Sequence, residues 1–323
     1  MAGRPRVLYY EGLRFQPENL ALLRAHFDVV ALPSPEHDTD DVLAAVDVAF
    51  APLGYHFGKE RIDRASRLKV IASNTTGTPH IDVDYAEQRG VRVISLKHEG
   101  EFLRTITPTA EMTWGLLLAV MRRIPWAFDA VRGGQWDRRP FGGPAMLSRL
   151  GLGIVGLGRL GTMVARQGLA FGMRVRYFDS RKPPPADLAL ERAASLEALV
   201  EASDVVTLHV PFDATTERMI DGRLLARFKP GAYLVNTSRG ELVDPVALLA
   251  ALGSGRLAGA GLDVLDGEFD PAFGGRVAEH PLVRYARQHD NLVLTPHIGG
   301  STVDAWRLTE EHTIRQVIAW LAR

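Results

Sequence analysis

The chain has 323 residues, of which 46% are hydrophobic and 24% charged, the balance of a globular protein with room for two domains. Lys+Arg and Asp+Glu both number 38, so no net field favours nucleic acid or an anionic membrane as partner. Cysteine is absent, which excludes disulfides, thiolate catalysis and Cys-ligated zinc.

The N-terminus runs straight into a strand-like segment, Val7–Tyr10, without the apolar stretch and cleavage site of a secretory signal. Strands are expected next at Val29–Leu32, Val46–Ala51, Lys69–Ser73 and Val91–Ile94, with helices between them at Glu18–His26, Thr39–Ala45, Lys59–Ala65 and Val83–Gln88. A long helical pattern follows, from Pro108 to about Val131. Its most apolar stretch, Gly115–Met121, stops at Arg122-Arg123, short of membrane-spanning length. Gly133–Pro144 is rich in Gly, Pro and Arg and reads as an irregular arm. The second half has strands at Leu152–Val155, Met173–Phe178, Val205–Val210, Ala232–Asn236, Ala258–Leu262 and Leu292–Leu294. Helices are expected at Met163–Phe171, Ser195–Glu201, Asp221–Phe228 and Pro245–Leu252, with Asp221 and Asp244 placed as N-caps. An amphipathic helix, about Asp304–Leu321, closes the chain. Alternating strands and helices predict parallel, doubly wound sheets, and two such units predict a cleft between them. The expected location is the cytoplasm.

Gly156-Leu157-Gly158-Arg159-Leu160-Gly161 carries the most chemistry. Alone, G-x-G-x-x-G is weak, because 31 glycines produce chance matches. Here it follows one strand, opens a helix, and is followed by a second strand that ends in Asp179, the order of a dinucleotide site. The glycines allow a tight turn, close approach of a pyrophosphate and close helix–strand packing, and the helix N-terminus offers N–H groups to the phosphates. Asp179 can accept from a ribose hydroxyl and would repel a 2′-phosphate, which favours NAD over NADP; Arg181 and Lys182 pull the other way.

Three strand ends add candidates. Arg239, in Asn236-Thr237-Ser238-Arg239-Gly240, can grip a carboxylate bidentately and polarise a carbonyl, or close a surface salt bridge. Asp263 and Glu268, in Gly261–Glu268, can serve as acids or simply turn the chain. His297, between Pro296 and Ile298-Gly299, sits on a stiff backbone, and histidine suits proton transfer to a carbonyl oxygen near neutral pH. Such a histidine can also be purely structural.

Together these segments resemble the D-isomer-specific 2-hydroxyacid dehydrogenases. The match runs from about Lys69 to Ser301, through the glycine fingerprint, His209-Val210-Pro211, Asn236–Gly240, Leu262–Glu268 and Thr295–Ser301, all in the family's order. The resemblance implies a Rossmann NAD-binding domain, residues 104–298, and a flavodoxin-like substrate domain made of residues 1–103 and 299–323. It implies Arg239 as the carboxylate anchor, His297 as proton donor and acceptor, and Glu268 as the partner of His297. Gly156, Gly158, Arg159, Leu160, Gly161, Asp179, His209, Val210, Pro211, Thr237, Ser238, Asp263 and Gly299 would hold NAD. Asn74, Thr75, Thr76 and Gly77 would receive the substrate carboxylate on backbone N–H groups. The implied ligand is a small 2-oxo or 2-hydroxy acid, the implied assembly a homodimer, and hydride transfer needs no metal.

The chain departs from the family pattern at two places. Phe269 follows Glu268 where the family usually has proline, so Asp266 stands as a second candidate acid. The segment Leu96–Thr107 is long and carries Lys97, His98 and Arg104, which could read a phosphate or phosphonate if they are not simply a solvated loop. A different class of function, an NAD(H)-sensing co-repressor that binds without turnover, shares this fold.

Overall fold

The computed structural model describes residues 3–270 and 272–323, so one residue of the motif around Phe269, Pro271, lies outside the described residues. Two compact units divide the chain: one of residues 1–106 and 301–323, the other of residues 107–300.

The first unit is a five-stranded, wholly parallel sheet of β1 (Arg6–Tyr10), β2 (Asp28–Leu32), β3 (Val48–Phe50), β4 (Val70–Ala72) and β5 (Arg92–Ile94), in the order β2-β1-β3-β4-β5. That is the flavodoxin-like doubly wound order. Helices α1 (Pro17–His26), α2 (Asp40–Ala45), α3 (Lys59–Arg64), α4 (Val83–Gln88) and α5 (Gly100–Leu103) make the connections. Side chains alternate across the pleat. Leu8, Tyr10, Ala49, Ala51 and Ile71 feed one core, and Val7, Tyr9, Val48, Phe50 and Val70 feed the other. The second core is completed by Ile314 and Val317 of the C-terminal helix, Val303–Leu321. That helix is pinned by Glu310, 2% exposed, which accepts from the Gln16 N–H at 2.8 Å and from Asn19 Nδ2 at 2.9 Å. Burial pushes the Glu310 carboxyl above its ordinary range.

The second unit begins with α6 (Pro108–Met121) and α7 (Ile124–Arg132). The continuous apolar pattern predicts one helix here, but two form. Pro125 supplies no N–H and crowds the turn before it, and Arg123 takes a left-handed conformation (φ 52°) that ends the first helix. The sheet has seven parallel strands: β6 (Gly151–Val155), β7 (Arg174–Phe178), β8 (Glu191–Arg192), β9 (Val205–Leu208), β10 (Ala232–Asn236), β11 (Leu257–Leu262) and β12 (Leu292–Leu294), in the order β12-β11-β10-β9-β6-β7-β8. β8 is a two-residue edge strand of exposed charged residues, too short for its pattern to announce. Around the sheet lie α8 (Arg159–Ala170), α9 (Leu196–Ala202), α10 (Gly222–Arg227), α11 (Pro245–Gly253), α12 (Phe273–Arg276) and α13 (Pro281–Ala286). Asp221 caps α10 by accepting from the Leu224 N–H, and Asp244 caps α11 by accepting from the Val246 and Ala247 N–H groups. One face buries Ile154, Val175, Tyr177 and Val235 with Trp114 and Leu117 of α6; the other buries Val206, Leu208, Leu234 and Leu257.

Strand order reverses between β6 and β9. In doubly wound sheets that switch point opens a crevice at the carboxyl ends of the strands, where ligands bind. Both expected α/β units, with their parallel sheets, are therefore present, the second in the Rossmann order. No helix among the described residues is long and apolar enough to cross a membrane.

Candidate active site

The glycine turn leaves β6 at the switch point. Gly156 has φ 89°, and a β-carbon there would lie 2.7 Å from the His209 carbonyl oxygen, so the β6 and β9 turns touch through bare backbone. A β-carbon on Gly161 would run into the Gly156 carbonyl, which is why the helix can begin so close to the strand. Gly158 is different: nothing among the described residues lies within 4 Å of where its β-carbon would be. The first turn of α8 starts there, beside Arg159, whose guanidinium is drawn below its ordinary value by burial.

Asp179 follows the carboxyl end of β7. It accepts from the Leu157 N–H at 2.7 Å and from the Arg181 and Lys182 N–H groups at 2.8 Å each. Burial pushes its carboxyl up, but those N–H groups outweigh it and hold the carboxyl below its ordinary range. Asp179 is thus a fixed anion that also shapes the glycine turn. Beside Gly156, past the end of β9, the His209 imidazole is pulled down to about 4 by burial, and its buried Nε2 has no partner among the described residues. An open cradle at Gly158, a helix N-terminus, a fixed carboxylate and an orphaned ring nitrogen fit a dinucleotide.

The loop after β10 is clamped by Asn236, which is 1% exposed. Its Nδ2 donates to the Arg239 carbonyl at 2.7 Å, and its Oδ1 accepts from the Ser238 N–H at 3.0 Å. Ser238 Oγ donates to the Val210 carbonyl at 2.5 Å, and Thr237 shares a 2.9 Å hydroxyl pair with Thr113. These bonds fix where Arg239 leaves the backbone. Its Nη1 donates to the Ser238 carbonyl at 2.6 Å.

Beyond β12 the chain turns at His297, which has φ 51° despite being no glycine. Such a left-handed residue costs about 1–3 kcal/mol and persists only where its surroundings impose it. Asp263, 1% exposed, imposes it. Its carboxylate accepts from the Thr295 hydroxyl at 2.5 Å, the Ile298 N–H at 2.9 Å and the Gly299 N–H at 2.6 Å, while its carbonyl accepts from the His297 N–H at 2.8 Å. His297 Nδ1 then lies 2.8 Å from Glu268 Oε1. The Glu268 side chain is 11% exposed and that of His297 38%. A carboxylate can only accept, so Nδ1 carries the proton and Nε2 is left for other chemistry. Phe269 touches both sides of the site: its ring centroid is 5.8 Å from the His297 ring and 5.8 Å from Arg239 Cζ. Asp266 lines a small apolar recess with Leu265, Leu282 and Pro245.

The residues expected around the cofactor, with Arg239 and His297, lie at or just past strand ends of the second unit, and Glu268 joins them from the loop after β11. Asn74–Gly77 lies in the first unit, after β4. Thr75 Oγ1 donates to the Gly77 carbonyl at 2.7 Å and pairs with Ser73 Oγ at 2.8 Å, which in turn meets His80 Nε2 at 3.1 Å. Burial pulls the His80 imidazole down to about 4. Neither His80 nor Ser73 is visible as a loop-holding residue in the sequence; only the Ser-x-Thr spacing hints at it. In the Leu96–Thr107 segment, Lys97, His98 and Arg104 are exposed. Glu99 pairs with His312 Nε2 at 2.9 Å, and Phe102 stacks on the same ring at 3.9 Å, so the segment is tied to the C-terminal helix.

The Rossmann order and the glycine turn at its switch point define a dinucleotide-binding type of domain. A family model for the NAD binding domain of D-isomer specific 2-hydroxyacid dehydrogenases matches residues 114–299. A glyoxylate reductase of Thermofilum pendens is 35% identical over 331 residues, covering 99% of this chain and 92% of that protein. A D-lactate dehydrogenase from Aquifex aeolicus, solved with NAD and lactic acid, superposes with TM-score 0.80 at 28% identity, covering 98% of this chain and 95% of that one. An NADPH-dependent glyoxylate/hydroxypyruvate reductase from Sinorhizobium meliloti, solved with NADP and malonate, gives TM-score 0.81 at 27% identity, covering 99% and 94%. The chain belongs to the D-isomer-specific 2-hydroxyacid dehydrogenase family. It is a nicotinamide-dependent oxidoreductase of that class, and neither the co-repressor nor the phosphonate alternative is favoured.

Proposed function

We propose that this dehydrogenase works through Arg239, Glu268 and His297 on a small 2-oxo or D-2-hydroxy acid. When bound, the nicotinamide supplies or takes the hydride at C2. Arg239 binds the substrate carboxylate and draws electron density from the carbonyl. His297 Nε2 gives its proton to the carbonyl oxygen in reduction and takes one from the hydroxyl in oxidation. Glu268 holds the ring by its Nδ1–H and stabilises the imidazolium. The carrying observation is the 2.8 Å Glu268–His297 pair on a backbone turn that a buried aspartate forces into shape. Asn74–Gly77 completes the reading: the Thr76 and Gly77 N–H groups have no acceptor among the described residues and suit a carboxylate. Domain roles follow, residues 1–103 and 299–323 for substrate and 104–298 for cofactor.

Asp179 supports NAD over NADP, because a fixed carboxylate repels a 2′-phosphate. The reading extends to a cytoplasmic protein and to a homodimer; the homodimer is supported by Phe128 and Trp136, 61% and 90% exposed on α7 and the following arm, and sedimentation at micromolar concentration tests it. For the activity, initial rates of NADH oxidation are measured across glyoxylate, hydroxypyruvate, pyruvate and bulkier 2-oxo acids. Turnover of at least one is expected, and His297→Asn should lower kcat by about 10²–10⁴-fold with little change in NADH affinity. Tight NADH binding with no turnover anywhere on the panel would instead mean a sensor.

A further inference from the structure

Arg239 has an unusual neighbourhood for an arginine in a crowded site. Among the described residues no carboxylate forms an ion pair with it. Its guanidinium instead meets a backbone carbonyl, Ser238 O, and the face of Phe269, whose ring centroid is 5.8 Å from Cζ. That is within the range of a cation–π contact. The same ring meets the His297 imidazole at 5.8 Å and 63°, an edge-to-face geometry. Phe269 directly follows Glu268 in the chain, so the backbone that delivers the acid also delivers the ring.

We propose that Phe269 is a positioning residue: its ring holds the Arg239 guanidinium and the His297 imidazole in one arrangement while leaving the guanidinium charge unneutralised. The inference rests on the roles proposed for Arg239 and His297. An Asp or Glu at this place would fix the guanidinium equally well, but it would compete with the substrate carboxylate for the same donors. A proline would offer no aromatic face. The aromatic ring attracts the cation through its quadrupole, orients it, and adds no anion.

The test compares Phe269→Leu, Phe269→Tyr and Arg239→Gln in the full-length enzyme, with the best 2-oxo acid of the panel. Phe269→Leu is expected to raise KM for the oxo acid by about threefold to thirtyfold, the span of a partly desolvated cation–π contact. The dissociation constant for NADH and the melting temperature should stay close to the parent's. Phe269→Tyr keeps the aromatic face and is expected to restore KM to within about twofold of the parent, which a merely space-filling role would not require. Unchanged KM in Phe269→Leu beside a large loss in Arg239→Gln would overturn this inference and leave the anchor standing. Unchanged KM in Arg239→Gln would overturn both. Should Phe269→Leu unfold, Phe269→Tyr against Phe269→Met decides the matter, since equal KM values for the two would also remove the aromatic role.

Discussion

Removing the Asp263 carboxylate should disable the candidate site from underneath. In Asp263→Ala, three donors lose their acceptor: the Thr295 hydroxyl, the Ile298 N–H and the Gly299 N–H, now at 2.5, 2.9 and 2.6 Å. Ile298 is 41% exposed, so water can serve its N–H, but Gly299 is buried. An unsatisfied buried donor costs about 1–3 kcal/mol, so the change should destabilise the second unit by about 2–5 kcal/mol. For a domain of this size each kcal/mol moves Tm by roughly 2–4 °C, so a fall of roughly 5–15 °C is expected by calorimetry. The same loss frees His297 from its φ of 51°, and the relaxed turn carries the imidazole away from Glu268. A fall in kcat of about 10²-fold or more is expected, as for loss of general acid catalysis. NADH binding separates this account from one in which Asp263 serves the nicotinamide directly. Here kcat and Tm fall further than affinity does. A variant that melts within two degrees or so of the parent and turns over within twofold would show that the carboxylate is not what holds the turn.

Two other perturbations read single groups. Asp179→Ser should shift the ratio of kcat/KM for NADPH over NADH upward by tenfold or so, about the 1.4 kcal/mol of one removed like-charge contact, and an unmoved ratio would take Asp179 out of cofactor choice. His80, held neutral by burial with its imidazole lowered from 6.5 to about 4, binds a proton more readily in the unfolded chain. Its contribution to stability is therefore present above pH 6.5 and is lost as pH falls towards 4, on the order of 3 kcal/mol in all. His80→Gln should flatten the urea-derived stability profile between those pH values, leaving whatever His209 contributes. An unchanged slope would mean that His80 does not titrate on unfolding.

The fold was largely legible because its pattern is redundant. The inner strands β3, β4, β6 and β9 are buried on both faces and read as short apolar runs, and Thr39, Ser195, Asp221 and Asp244 stand at helix starts that the structure keeps. What the pattern lost depends on single residues. Pro125 splits one apolar stretch into two helices, and β8 has only two residues, both exposed. At the candidate site the same contrast holds. Arg239, Asp263 and His297 each stand just past a strand, where open parallel sheets place ligands, so their addresses could be read. Their mutual arrangement could not. Glu268 comes from an irregular loop, and nothing in its spacing shows that Oε1 meets His297 Nδ1 rather than solvent. The bonds from Asp263 to residues 295–299 depend on β11 and β12 lying side by side, a non-local pairing with no local signature.

That pairing explains why His297 can sit on so strained a turn. β11 and β12 run in register from Ala260–Leu292 to Leu262–Leu294, so Asp263 emerges level with Thr295. The sheet thus delivers a buried acceptor to the spot where the chain must reverse. Strain at His297 is offset locally by charge-assisted bonds, which are roughly twice as strong as neutral ones. A glycine would meet the backbone requirement at position 297 without strain, but it would bring no imidazole. The buried aspartate is therefore what lets a titratable side chain occupy a place where backbone conformation alone would favour glycine, and a catalytic role for His297 makes Asp263 as necessary as Glu268.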